Sequence, residues 1–253
     1  MSLVLSTHDG ARTTLTLNRP DRRNALSLEA LGALGDALSS IPTQSQVVVL
    51  AGAGPAFSAG HDLGEMIDRP PAFYAELFDA CVTVMEKIHR IPQPVIARVH
   101  GPATAAGCQL VASCDLVVAS TDATFATPGV KIGLFCSTPM VPISRAVGAK
   151  RAMEMLLTGE SIDAATAASW GLVNRVVDPE ALDSEIDLLV SRITRYSARV
   201  IGIGKEAFWA QAELDEHRAY DLTKAVMSAN AGMPAAQEGM GAFLDKRAPE
   251  WPE

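Results

Sequence analysis

The chain alternates between short apolar runs and longer stretches in which apolar residues recur every three or four positions. The short runs, clearest at 47–51, 95–99 and 116–118, are rich in valine and predict buried strands, whereas the three-to-four spacing predicts helices. Ser27 is the expected N-cap of a helix that reaches about residue 39. A pair of prolines at 70–71 opens a second predicted helix, which reaches about residue 90.

The two ends of the chain differ in pattern. Asp9-Gly10 lies between two β-rich runs, a combination that predicts a hairpin. From Pro179 onward the pattern is helical, with helices expected at about 179–196, 200–213, 216–229 and 234–246. The change divides the chain into a mixed α/β core at residues 1–195 and a helical region at residues 196–253.

The segment 95–119 combines a strand, a turn of small residues, a short helix beginning near Ala106 and a second strand. The first N–H groups of a helix have no partner within it and carry the positive end of the helix dipole. A second loop of small residues, FSAGHDL at 57–63, follows the 47–51 strand. The two loops can each supply one backbone N–H to the same ligand oxygen. The alternative is that small residues only allow a helix and a strand to pack closely.

Composition narrows the class of protein. The 253 residues are 48% apolar and carry a formal net charge of −8, which argues against a nucleic-acid partner. The four cysteines form no Cys-x-x-Cys pair, and no histidines have metal-ligand spacing, so we expect reduced thiols and no metal. Residues 1–10 lack a signal-peptide pattern, and no apolar run is long enough for a membrane helix. We therefore expect a cytoplasmic protein with no membrane association.

Two segments, FSAGHDL and ATAAGCQLVASCD, closely resemble the signature segments of the crotonase superfamily, also called the enoyl-CoA hydratase/isomerase family. The resemblance extends from NRPDRRNALS near the start of the chain to EGMGAFLDKR near its end. It implies an α/β fold, the ClpP-like spiral of ββα units, followed by C-terminal helices that assemble a homotrimer or a hexamer of two trimers. It also implies an acyl-CoA or enoyl-CoA substrate, with coenzyme A as part of the substrate and no separate cofactor.

The resemblance implies roles for particular residues. The backbone N–H groups of His61 and Ala106 would form an oxyanion hole that stabilises a thioester enolate. Asp62 would act as a carboxylate in the reaction or would hold its loop. Residues implied to contact substrate are Arg22, Arg23, Ala59, Asp62, Leu63, Met66, Gly107, Gly129, Ser137, Phe243 and Lys246. Among these, Arg22 or Arg23 would meet a CoA phosphate, unless that charged loop is only solvated. Phe243 and Lys246 would reach the CoA bound by a neighbouring subunit.

The chain departs from the family at the positions that carry acid–base chemistry. Hydratases of the family use a pair of glutamates, and these positions fall at Gln109 and Gly129. A third position, acidic in some isomerases and dehalogenases, falls at Ser137. Glutamine can orient a water or a carbonyl but cannot exchange a proton near neutral pH. We expect Gln109 to be the principal polar side chain of the pocket, although it can also bond only to nearby backbone.

Three functions follow from an intact thioester clamp without the usual acids. The first is an enoyl-CoA hydratase or isomerase of fatty acid metabolism with weak or atypical hydratase activity. The second is a non-catalytic acyl-CoA binding or regulatory protein. The third is an acyl-CoA decarboxylase or thioesterase, because loss of a carboxylate generates an enolate without an added base.

Overall fold

A computed structural model describes residues 2–252. In this range the strands are β1 (Val4–Asp9), β2 (Arg12–Leu17), β3 (Val47–Gly52), β4 (Val95–Val99), β5 (Ala103–Thr104), β6 (Leu116–Ser120), β7 (Thr124–Ala126), β8 (Ile162–Asp163) and β9 (Arg175–Val177). The helices are α1 (Leu28–Ser39), α2 (Leu63–Met66), α3 (Pro71–Arg90), α4 (Ala106–Ser113), α5 (Met140–Val147), α6 (Ala149–Thr158), α7 (Ala164–Trp170), α8 (Leu182–Thr194), α9 (Ala198–Gln211), α10 (Glu216–Ala231) and α11 (Pro234–Leu244). No helix in this range is both long and apolar enough to cross a bilayer.

Most of the predicted elements are present. The β1–β2 hairpin forms, and the Ser27 side chain accepts a hydrogen bond from the Ala30 N–H at 3.1 Å, which caps α1 as expected. The helix predicted over 179–196 is shorter, because Pro179–Ala181 forms a 3₁₀ turn before α8 begins. The last predicted helix ends at Leu244 rather than at residue 246, and Lys246 has a positive φ of 56°.

Two sheets organise the fold. The larger has the order β1-β2-β3-β4-β6-β9, with β1 antiparallel to β2 and every later pairing parallel; the smaller has the order β5-β7-β8. Successive side chains of a strand point to opposite faces. Val48 and Leu50 therefore join the main core, whereas Val47 and Val49 pack against α8 on the other face. With both faces covered, the central strands are continuous apolar runs.

A buried ion pair attaches α9 to this core. The Nζ atom of Lys205 lies 2.7 Å from Oδ2 of Asp115 and donates to the backbone carbonyls of Ile88 and Gln93, each at 2.7 Å. The other carboxylate oxygen of Asp115 accepts a hydrogen bond from Nε1 of Trp209 at 2.9 Å. Burial lowers the pKa of Lys205, and the Asp115 charge opposes that effect.

The helices beyond α9 are much more exposed. No residue of α10 is buried, and α11 buries only Ala235 and Ala242. Large apolar side chains on them are in solvent, among them Tyr220, Met227 and Phe243. The division at residues 195 and 196 into a spiral core and an oligomerisation region stays a prediction.

Lys205→Met should destabilise the chain by about 3–5 kcal/mol, because it removes the positive charge that pairs with the Asp115 carboxylate and leaves two carbonyls without their donor. Urea unfolding followed by circular dichroism measures the change. The matched control is Lys224→Met, since Lys224 pairs with Asp221 on exposed α10 and should change stability by less than about 0.5 kcal/mol. Equal losses in the two variants would show that the buried pair does not anchor α9.

Candidate active site

The loops that follow β3 and β4 are interlocked through two glycines. A Cβ atom added to Gly60 would lie 2.8 Å from Cβ of Ala105, 2.9 Å from the Thr104 carbonyl oxygen and 3.1 Å from the backbone nitrogen of Ala106. A Cβ atom added to Gly107 would lie 2.8 Å from Cβ of Ser58 and even closer to its carbonyl oxygen. Such distances are below van der Waals contact, so only glycine allows the two backbones to approach this closely.

Hydrogen bonds fix the relative position of the two loops. The Thr104 N–H donates to the Ser58 carbonyl at 2.9 Å, and the Thr104 hydroxyl donates to the Ala59 carbonyl at 3.0 Å. In return, the Phe57 N–H donates to the Pro102 carbonyl at 3.0 Å. Hydrogen bonds to backbone carbonyls of both loops therefore hold the loops together.

Two backbone N–H groups where the loops meet have no hydrogen-bond acceptor within residues 2–252. Ala106 is the first residue of α4, and His61 directly follows Gly60. Within residues 2–252 neither backbone N–H donates a hydrogen bond. Ala105, which precedes the helix, has a φ of 49°, a conformation that costs energy in a residue with a side chain. Its N–H donates to the Ala126 carbonyl at 2.9 Å, and its carbonyl accepts from Gln109 at 3.0 Å, so both neighbours hold it in place.

The segment 19–26 supports the first loop, a role that the sequence did not indicate. Asn24, which has a positive φ of 54°, donates from Nδ2 to the carbonyls of Ala53 and Ala56, each at 2.8 Å. Ser58 donates from its hydroxyl to the Asn24 carbonyl at 2.9 Å. The only signal for Asn24 in the sequence is its position within the family-like segment NRPDRRNALS.

Two carboxylates near the first loop form contacts that stabilise the local structure. Asp62 forms a salt bridge with Arg19 at 3.0 Å, and both side chains are mostly buried. Glu65 accepts a hydrogen bond from the Leu28 N–H at 2.9 Å, at the start of α1. This geometry favours the loop-holding role over the catalytic role that we considered for Asp62.

The structure gives a distinct environment to each of Gln109, Gly129 and Ser137, the three positions at which the family resemblance implied an acid. Gln109 is 3% exposed, and its Oε1 lies 3.9 Å from Sγ of Cys81. A Cβ atom on Gly129 would lie 2.9 Å from both Sγ of Cys136 and the Leu134 carbonyl oxygen, so a larger side chain has no space there. Ser137 is exposed and donates to the Phe135 carbonyl at 3.3 Å.

The other residues implied to contact substrate are dispersed. Arg22 and Arg23 are exposed, but the carbonyl of Arg23 accepts from the Ala59 N–H at 2.9 Å, which brings their turn against the first loop. Leu63 and Met66 begin and end α2, directly after that loop. Phe243 in α11 is 83% exposed, and Lys246 follows the helix. Within one chain, α11 packs on α10.

A groove of about 1100 Å³ lies between α3, α4, α5 and α9. Its lining includes Gln109 and Thr138 but no residue of the two interlocked loops. The cysteines near it are poor nucleophiles, because burial raises the pKa of Cys81 to about 12 and that of Cys136 above its usual value.

Comparison with known proteins decides the family. The family model described as "Enoyl-CoA hydratase/isomerase" matches residues 9–253. The chain belongs to this family. The mouse protein "Enoyl-CoA hydratase domain-containing protein 3, mitochondrial" is 46% identical over 246 residues, covering 96% of this chain and 82% of the relative. Two segments, ATAAGCQLVASCD and FATPGVKIGLFCSTP at residues 125–139, also resemble this subgroup in sequence, and the comparison confirms that resemblance.

Solved structures confirm the predicted crotonase fold. An enoyl-CoA hydratase from Mycobacterium smegmatis superposes with a TM-score of 0.96 at 52% identity, covering 98% of both chains. Human enoyl-CoA hydratase domain-containing protein 3 gives a TM-score of 0.96 at 42% identity, covering 98% of this chain and 100% of the other.

The expected cytoplasmic location is wrong. The mouse, rat and human relatives are all named as mitochondrial. We based the expectation on unpaired cysteines, and these exclude only an oxidising compartment. The cysteine pattern therefore does not distinguish one reducing compartment from another.

Gly60→Ala should lower stability by about 2–3 kcal/mol, because the methyl group meets Ala105 and Thr104 and because the residue has a φ of 88°. The matched control is Gly32→Ala in α1, where nothing lies within 4 Å and a gain of about 0.5–1 kcal/mol is expected. Urea unfolding compares the two variants. If Gly60→Ala is as stable as the parent chain, the loops are not interlocked as described.

Proposed function

We propose that this chain processes acyl-CoA or enoyl-CoA thioesters by binding the thioester oxygen between the backbone N–H groups of His61 and Ala106. The observation that supports the proposal is the pair of unused N–H groups on two loops held together at Gly60. Ala106 also begins α4, so the helix dipole adds favourable potential for negative charge.

The chemistry of such a site is enolate stabilisation. When the α-carbon of a thioester loses or gains a proton, negative charge develops on the carbonyl oxygen. Donors already in position stabilise that charge without reorganisation, and loss of one such donor costs about 2.7–4 kcal/mol in studied enzymes. Ala59 is small and exposed beside the His61 donor, and Gly107 allows the first loop to approach the start of α4 closely.

The remainder of the substrate would be bound by groups around this centre. Arg22 and Arg23, exposed beside the first loop, would meet a CoA phosphate, and Asp62 would fix the loop through Arg19. Leu63 and Met66 of α2 would border the acyl group. Phe243 and Lys246 would contact the CoA of a neighbouring subunit in a homotrimer or hexamer, a role supported by the exposure of α10 and α11.

The missing acids limit the reaction. General acid–base catalysis contributes about 10²–10⁴-fold, and Gln109, Gly129 and Ser137 supply none of it. We expect Gln109 to orient a water or the substrate carbonyl, and hydration to be weak. The same three residues favour a second candidate function, a non-catalytic acyl-CoA binding protein.

Butyryl-CoA should bind at least about 10-fold more tightly than S-butyl-CoA, a thioether with the same chain but no carbonyl oxygen, since two hydrogen bonds are lost. Isothermal titration calorimetry measures both affinities, with free CoA as the reference ligand. Equal affinities for the thioester and the thioether would contradict the oxyanion hole. If neither ligand binds, the proposal that the chain binds acyl-CoA substrates is wrong.

Gln109→Glu should increase hydration of crotonyl-CoA, whereas Gly129→Glu should not, although both restore an acid found in relatives. The difference arises because Gly129 is enclosed by Cys136 and the Leu134 carbonyl, so a glutamate there disturbs the turn. Loss of the conjugated thioester absorbance measures the rate. Turnover by the parent chain above the buffer rate would favour the enzyme over the binding protein, and equal gains in both variants would contradict the packing argument.

A further inference from the structure

The imidazole of His61 has one satisfied and one unsatisfied nitrogen. Its Nδ1 lies 3.3 Å from the Leu26 carbonyl oxygen. A carbonyl only accepts hydrogen bonds, so Nδ1 carries the proton and Nε2 presents a lone pair. Nε2 is buried, and within residues 2–252 it has no hydrogen-bond partner. An unsatisfied buried acceptor costs about 1–3 kcal/mol, which calls for a functional explanation.

The imidazole borders the place where relatives carry an acid. Its ring packs edge-on against Phe78 of α3, with 5.3 Å between ring centroids. One turn along the same helix, Cys81 contacts the side chain of Gln109. Residues three apart lie on one face of a helix, so His61 and Gln109 adjoin the same face of α3. Gln109 occupies the first glutamate position of the family, and the His61 backbone N–H is one of the two unused donors.

We propose that Nε2 of His61 is the proton acceptor of this site and that it supports carbon-to-carbon proton transfer in a 3-enoyl-CoA. This proposal rests on the proposed thioester binding. Nε2 takes a proton from the α-carbon, and the C–H electron pair enters the conjugated system as a dienolate whose charge rests on the thioester oxygen. The imidazolium then gives the same proton to the γ-carbon. The double bond moves into conjugation, and the neutral imidazole is regenerated.

A single base is sufficient for this reaction, whereas hydration of the double bond also requires a positioned water. The substrate supplies the carbon acid, and the two backbone N–H groups of residues 61 and 106 bind the developing charge. Because Nε2 is covered by its neighbours, the proposal requires a movement that opens it to the acyl chain. Phe78 packs against the imidazole and is only partly buried, so rotation of its ring is the movement that we propose.

The surroundings keep the imidazole neutral. Burial lowers its pKa below the ordinary 6.5, and the hydrogen bond to Leu26 and the Glu65 carboxylate only partly oppose this effect. From α3 it faces the Phe78 ring. The Cys81 thiol, one turn further along α3, is neutral because burial raises its pKa to about 12. Asp62, the charged residue next to it in the chain, is paired with Arg19. A neutral imidazole at neutral pH is the form that accepts a proton.

The test compares the parent chain with His61→Gln, which keeps the backbone N–H but cannot titrate. Formation of the conjugated thioester from a 3-enoyl-CoA is followed by absorbance between pH 4.5 and 9. We expect the parent rate to fall with acid through a pKa below 6.5 and to be level above it. His61→Gln should lose at least about 100-fold in rate and the acid limb with it, while its affinity for butyryl-CoA is nearly unchanged.

Controls separate the possible failures. His217→Gln alters an exposed histidine on α10 and should keep both the rate and the pH profile. If His61→Gln does not fold, ¹⁵N NMR of the parent chain reports whether the Nε2 signal of His61 titrates below 6.5 and shifts on addition of butyryl-CoA. An unchanged Nε2 signal, or a His61→Gln variant that keeps the acid limb, overturns the proposal. If the parent chain binds butyryl-CoA but does not isomerise the 3-enoyl-CoA, proton transfer by His61 is overturned and thioester binding stands. If it does not bind butyryl-CoA, both proposals are overturned.

Discussion

The close approach of two loops, with no side chain between them, is the constraint on which the site depends. Gly60 lies against Ala105 and the nitrogen of Ala106, and Gly107 lies against Ser58. The loops follow β3 and β4, adjacent parallel strands whose ends meet at one edge of the sheet. Pairing of the strands thus brings the loops together. The two glycines allow the backbones to approach more closely than residues with a Cβ atom would.

This arrangement carries local costs that the rest of the fold offsets. Ala105 has a strained backbone, and within residues 2–252 the N–H groups of His61 and Ala106 have no acceptor and Nε2 of His61 has no donor. The strained residue and the buried imidazole nitrogen each cost roughly 1–3 kcal/mol. The hydrogen bonds around Ala105, Asn24 and Ser58, together with the apolar core beneath β3 and β4, hold these groups in position. A strained residue and unpartnered polar groups gathered at one place are typical of a functional site.

Local patterns predicted the local elements, and long-range contacts set the limit of that prediction. The cap at Ser27, the helix opened by Pro71 and the apolar strands are visible because their causes lie within a few residues. The family resemblance also led us to expect that Gln109 and Gly129 replace the usual acids, and this stays a prediction. The sequence did not reveal that Gly129 is enclosed by Cys136, or that Asp115 pairs with Lys205, because these partners are 7 and 90 residues away in the chain. The free nitrogen of His61 likewise depends on Leu26 and Phe78.

The two parts of the site are therefore under different constraints. The pair of donors belongs to the backbone, so it persists through side-chain substitution provided that Gly60 and Gly107 are retained. The proton-handling groups are side chains, and the three positions at which the resemblance implied acids hold a buried amide, an enclosed glycine and an exposed hydroxyl. A fold that keeps the donors while changing the acids retains thioester binding and changes the reaction. Within residues 2–252, the side-chain atom next to the His61 donor that is buried without a hydrogen-bond partner is Nε2 of His61 itself. The proton transfer that we propose for this site therefore uses one neutral imidazole rather than two carboxylates.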